Sequence, residues 1–269
     1  MLTIYCTSIK YFKVLDKLPP YVKVIGLGDR VFPKHWLNES IGKNIKNLNK
    51  YYGELTAFYW VWKNKLNEFN DNDLIGFCHY RKLWLNDLFL EKNKQSIKSL
   101  YSSLLNKENT LLKQKDVLQV QPIIFKNKNL LEDFSKIHDT NIIYECLDFL
   151  PSEIKLNFSN HLYSNILHPL NMFIVKKNLF NEYCKILFPW MEDCMKLFIK
   201  KNILVSYNTR LPAFLAERFT SFWFSQNLNR SNLSYARLGK FFLSNKVNRF
   251  INPIKLPFTS KMYPTLHKY

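Results

Sequence analysis

The feature that most constrains the fold is a set of short apolar runs, each too brief for a helix and each bounded by polar turns. They are residues 2–7, 22–27, 74–78, 117–125 and 171–175. Runs of this length with little polar alternation read as strands buried on both faces, the pattern of a parallel sheet covered by helices. Pro122 marks the fourth run as an edge or a bulge. Between the runs the spacing turns helical. Over residues 51–69, Leu55, Phe58, Tyr59, Trp62 and Leu66 recur every three or four positions and make one aromatic face, read as core, with Asn49 as cap and Glu54 in the first turn. Similar spacing predicts helices over 129–150, over 179–199 with a kink or break at Pro189, and over 213–227; the Lys-, Asn- and Leu-rich residues 86–116 also read as largely helical. Strands alternating with helices predict an α/β sandwich. Residues 28–49 read as a long loop, the kind of segment that carries function in compact domains.

Composition narrows the function. The chain of 269 residues is 47% hydrophobic and 16% aromatic, enough for a substantial core, so it is not a disordered chain. A net charge of +18 calls for a polyanionic environment: nucleic acid, an anionic membrane surface or a phosphorylated substrate. Only six glycines are present, and neither GxGxxG nor GxxxxGK[ST] occurs, so phosphate recognition falls to side chains and helix ends. Five scattered cysteines without a CxxC argue against a disulfide framework or zinc site and suit a reducing cytoplasm. No signal peptide opens the chain, and no apolar run reaches the ~18 residues of a membrane span. The last 52 residues hold no Asp or Glu and nine Lys or Arg, interleaved with aromatics. We expect a domain over 1–229 and a basic, aromatic extension over 230–269 that meets an anionic membrane surface or a partner.

The run at 74–78 passes without a break into His79, Tyr80, Arg81 and Lys82. In an open α/β sheet, ligands bind beyond the carboxyl ends of the strands. A cationic, hydrogen-bonding cluster at such an end is placed to hold a pyrophosphate, with Arg81 gripping its oxygens bidentately. The acidic pair Asp71-x-Asp73 precedes the strand, the wrong end for a metal–diphosphate site, and reads as a solvated turn. A second candidate lies at Arg210 to Arg218, where Glu217 is a potential general base with arginine neighbours; a structural Arg–Glu pair is the commoner arrangement. His138-Asp139 is a third, more ordinary as a solvated helix face than as a dyad.

Four blocks resemble one known family. Residues 44–64, NIKNLNKYYGELTAFYWVWKN, together with IGFCHYRK at 75–82, NMFI at 171–174 and FLAER at 214–218, resemble in order the motifs of a bacterial glycosyltransferase domain family of capsule, exopolysaccharide and O-antigen synthesis that includes galactofuranosyltransferases. The chain departs from that pattern at Thr7-Ser8-Ile9-Lys10, where His-Lys is usual, at Lys82, where a second arginine is usual, and in a His-rich middle reduced to His138-Asp139.

The resemblance implies a fold similar to the GT-A type and a hexosyltransferase. The expected donor is a UDP-sugar, best UDP-galactofuranose, and the expected acceptor a growing lipid-linked oligosaccharide. The expected location is cytoplasmic, peripheral to the inner face of the membrane. On this view Glu217 takes the acceptor proton, with Asp139 in reserve, and His79, Tyr80 and Arg81 hold the diphosphate. Arg210 or Arg218 aids charge stabilisation, while Glu54, Thr56 and Asn171 line or buttress the donor pocket. No metal ligand is assigned; a divalent cation, Mn or Mg, stays open. The alternatives are a nucleic-acid-binding protein, which would need a continuous basic stripe with stacking aromatics, and an inactive, scaffold-like relative.

Overall fold

The computed structural model describes residues 1–86, 101–138, 140–226, 230–233 and 235–237. At its centre β1 (Leu2–Ser8) is buried along its whole length. It pairs in parallel on both sides, with β2 (Val22–Gly26) and β4 (Leu74–His79). Alternate side chains of β1 and β4 feed two separate cores: Tyr5, Ile75 and Phe77 face one, Ile4, Cys6, Leu74 and Cys78 the other. Two apolar faces explain the lack of polar alternation. A methyl at Gly76 would lie 2.8 Å from Ile174 and 3.2 Å from Ile4, so only glycine lets the two neighbouring strands close over that position.

The sheet extends through β3 (Leu37–Asn38) on one side. On the other, β9 (Phe173–Lys176) runs antiparallel to both β4 and β6 (Val117–Val120), and β10 (Arg230–Leu233) is parallel to β6, giving the order β10-β6-β9-β4-β1-β2-β3. A short hairpin strand β5 (Lys82–Trp84) folds back on His79 and pairs with β11 (Tyr235–Arg237). The run at 117–125 therefore splits at Pro122, its second part β7 (Ile123–Ile124) pairing apart with β8 (Ile166–Leu167). The mixed, mostly parallel α/β sheet agrees with the fold expected from the sequence.

Helices cover the first core. α1 (Asn49–Tyr52) and α2 (Leu55–Asn64) are separated at Gly53, whose φ of +57° no other residue adopts so readily. Asn49 does not cap a helix as expected: its amide reaches forward to the Gly53 carbonyl and Thr56 Oγ1, both at 3.0 Å. The segment read as one helix over 129–150 is two, α3 (Leu130–His138) and α4 (Ile143–Leu147), and α5 (Ser152–Leu162) follows. α6 (Lys177–Lys200) runs unbroken through Pro189, because burial of Phe180, Tyr183, Leu187, Phe188 and Trp190 around it outweighs the lost backbone hydrogen bond. α7 (Leu211–Trp223), with Pro212 in its first turn, packs on α6.

Residues 230–237, assigned to the extension by sequence, supply two strands of the sheet through their described residues, so the sheet continues past the expected boundary at 229. The rest of that extension, 238–269, and residues 87–100 lie outside the described residues. All five cysteines are buried free thiols. No helix among the described residues is long and apolar enough to cross a membrane.

Candidate active site

A cleft of about 640 Å³ opens at the carboxyl ends of β1 and β4. Thr7 and His79 form its floor; the β4–β5 turn makes one rim, and α1, the 3-10 turn Ser206–Arg210 and α7 make the other. On the first rim Tyr80 stacks on Phe12 (5.0 Å, 9°), the Arg81 guanidinium lies over the Tyr80 ring at 5.1 Å, and Lys82 points its buried chain into the cleft. Arg81 has no carboxylate partner among the described residues, which leaves its fork for a ligand.

The centre is organised by Leu170 and Asn171, both in the left-handed region at φ 80° and 50°. Such backbone is uncommon outside glycine and clusters at functional sites. Here it turns one residue's polar groups in two directions: His79 Nε2 donates to the Leu170 carbonyl (2.7 Å), and the Leu170 amide donates to Glu217 Oε1 (2.5 Å). Asn171 donates to Glu54 Oε1 (2.8 Å) and accepts from the Thr220 hydroxyl (3.0 Å). Arg210 closes on Glu54 Oε2 at 3.8 Å across Gly53, where a methyl would stand 2.6 Å from the guanidinium.

The electrostatics separate the two carboxyls. Burial works against ionisation of Glu54, but His79, the Arg210 guanidinium and the Asn171 amide outweigh it and hold Glu54 below its ordinary value. Burial pushes Glu217 up; Arg218 and the Leu170 amide only partly offset this, and the negative charge of Glu54 adds to the rise. Burial likewise lowers the pKa of His79, although Glu54 pulls the other way. Two carboxyls with pKa values driven apart are the usual sign of divided roles, one structural anion and one proton acceptor.

Of the residues singled out from sequence, His79, Tyr80, Arg81, Glu54, Asn171, Arg210 and Glu217 come together in the cleft. Two assignments, Arg218 and His79, need correction. Arg218 cannot touch a donor: it is fully buried, bound to Asp133 at 2.6 Å and to the Phe214 carbonyl, and supports Glu217 from behind at 3.5 Å. Thr56, expected to line or buttress the pocket, is buried behind the wall with its hydroxyl turned to Gly53 and Asn49, the buttressing position. His79 faces the cleft, but Leu170 and Thr7 engage its two ring nitrogens (2.7 and 3.4 Å), so it positions the floor and does not grip phosphate. Asp139 lies outside the described residues. At the opposite end of β4, Asp71 pairs with Lys177, while Asp73 is buried against the Met1 amine and not solvated as read from sequence.

Sequence reasoning placed Lys82 in the cationic cluster without giving it a role of its own, carried Phe214 only inside a motif block, and missed Lys50, Leu170 and Tyr207; all five line the cleft. Pro169 before Leu170-Asn171 was the one available hint of irregular backbone there; Tyr207 sits in a short 3-10 turn with no pattern of its own.

The fold of this mostly parallel α/β sheet is similar to part of a solved structure. The chain superposes on the apo structure of the bifunctional glycosyltransferase WbbM with a TM-score of 0.71 at 20% identity, over 94% of this chain and 47% of that one. It thus spans about half the length of that protein. By sequence, the chain belongs to the family described as Domain of unknown function (DUF4422), whose model matches residues 3–228. No curated protein matches it.

Proposed function

We propose that this protein is a glycosyltransferase that moves a sugar from a nucleoside-diphosphate donor to a glycan acceptor. UDP-galactofuranose is the best donor candidate from the motif resemblance, and a lipid-linked oligosaccharide the best acceptor. The observation that carries the reading is the pairing, in one cleft, of a buried carboxyl with a raised pKa and a rim of fixed cations. The acceptor hydroxyl attacks the anomeric carbon as the bond from that carbon to the diphosphate oxygen breaks. Glu217 takes the hydroxyl proton, and Arg81 and Lys82 offset the charge that builds on the leaving diphosphate. Glu54, held ionised, keeps Arg210 and Asn171 in place. Among the described residues a divalent cation would find only Glu54 and Glu217 as carboxylates lining the cleft, and both already carry protein partners. Among the described residues no three His, Cys, Asp or Glu side chains gather to hold a metal. That donor set fits a cation poorly, and no step here runs through one.

The test is transfer from UDP-galactofuranose and a panel of other UDP-sugars to a synthetic lipid-linked acceptor, with UDP binding measured by calorimetry. Arg81→Ala should weaken UDP ~10- to 150-fold, the equivalent of one lost charge-assisted hydrogen-bond pair. Unchanged UDP affinity in that variant would remove Arg81 from the diphosphate site, and failure of every nucleotide sugar to bind the parent protein would remove the enzyme reading. Membrane contact is the second part of the proposal. Lys10, Lys13, Lys17, Arg30 and Lys34 are exposed and form no ion pair among the described residues, and Val31, next to Arg30, is 96% exposed. The full chain should co-sediment with phosphatidylglycerol vesicles and not with phosphatidylcholine ones, and the binding should fall steeply with salt.

A further inference from the structure

Phe12 does not line the cleft, yet its ring reaches the first rim through one intermediary. It is buried in the second core, in the turn that follows β1. Its ring is stacked on Tyr80, and the Arg81 guanidinium lies over Tyr80 in turn. The Lys10 ammonium lies over Phe12 at 5.1 Å. Lys10, Phe12, Tyr80 and Arg81 thus make a continuous run of cation, ring, ring and cation across the ends of two strands that pair in parallel. Both turns are tied down. The Tyr80 amide donates to the Thr7 carbonyl at 2.9 Å, beside the Thr7–His79 register pair. On the other turn Ser8 Oγ donates to the Lys10 carbonyl (2.7 Å), and the Leu15 amide donates to the Phe12 carbonyl (2.9 Å). The two rings therefore meet from segments whose backbones are each hydrogen-bonded in place.

The face of an aromatic ring is negative, so it attracts a cation. A guanidinium that meets a ring through its own face keeps its N–H donors, which lie in its plane, for a second partner. Among the described residues the Arg81 guanidinium makes no hydrogen bond and no ion pair, which leaves the Tyr80 ring to orient it. An arginine already held over a ring gives up less rotamer freedom when a phosphate arrives. We infer that Phe12 is a positioning residue for diphosphate recognition: stacked on Tyr80, it fixes the ring that holds Arg81 and so presents that guanidinium to the ligand. This rests on the diphosphate role of Arg81 proposed above.

Calorimetry with UDP and with inorganic pyrophosphate, on the full chain, tests it through a double-mutant cycle. Phe12→Leu and Phe12→Met keep an apolar side chain in the core and remove the ring, so a poor fold in one leaves the other to carry the test. We expect both to weaken UDP ~3- to 10-fold, the share of affinity that one aromatic stack carries, and to weaken it no further where Arg81 is already alanine. Tyr80→Leu should behave in the same way, and Tyr80→Phe, which keeps the ring, should lose less than Tyr80→Leu. The inference is overturned if the Phe12 variants bind UDP as the parent does, or if Tyr80→Phe loses as much as Tyr80→Leu. It is also overturned if the Phe12 variants lose as much in the Arg81→Ala background, as a merely structural effect would. A parent protein that binds pyrophosphate with the same Phe12–Arg81 coupling but binds no nucleotide upholds the inference and overturns the transfer reaction; one that binds neither overturns both.

Discussion

Replacing Glu217 with glutamine is expected to lower kcat by ~10²- to 10⁴-fold, the range for loss of a general base, with little change in donor KM. Glutamine keeps the shape and still accepts from the Leu170 amide, so the fold of the site survives while the proton acceptor is lost. The pH profile gives a second signature. Glu217 works as a base only when deprotonated, and burial raises its pKa above the ordinary carboxyl value. Activity should therefore rise with pH along an acid limb displaced upward from the ordinary carboxyl range, and Glu217→Gln should abolish that limb. An acid limb at the ordinary carboxyl value, or one that persists in the variant, would assign the base elsewhere.

Asp133→Ala is expected to cost ~3–5 kcal/mol of stability, the usual penalty for stripping one partner from a buried ion pair. Asp133 and Arg218 are both fully buried, 2.6 Å apart, and Asp133 also receives Lys128. Losing the carboxylate leaves a guanidinium without its main counter-charge, under the helix that carries Glu217. Urea unfolding measures the loss; a change below ~1 kcal/mol would place the pair among those that contribute little. Replacing both partners together, Asp133→Leu with Arg218→Met, should recover much of the loss, since the cost lies in the orphaned charge more than in the missing bond.

The contrast between neighbouring residues shows what the sequence could reveal. The strands were legible because β1 and β4 face a core on each side, which leaves uninterrupted apolar runs. The location of Tyr80 and Arg81 followed from a general rule about strand ends. Roles within a helix did not follow: Glu217 and Arg218 are consecutive, so they point ~100° apart, and a matching block of letters cannot say which one faces the cleft. α5 escaped notice because Phe158 and Leu162 are its only buried side chains, too few to set a period. The continuity of α6 through Pro189 depends on tertiary packing that no local pattern reports. The constraint on His79 was hidden for a different reason: its partner, the Leu170 carbonyl, is 91 residues away and belongs to a backbone shape.

That backbone shape bears on how the proposed enzyme could diverge. The Leu170 residue contacts the histidine through its carbonyl and the carboxyl through its amide, so neither can be retuned alone; any substitution that tilts the segment moves both. Arg81, on the β4–β5 turn, lies over Tyr80 and takes no part in those two hydrogen bonds. Inherited variation that changes which sugar enters or which glycan receives it is therefore expected to collect at the rims, around a centre that stays fixed.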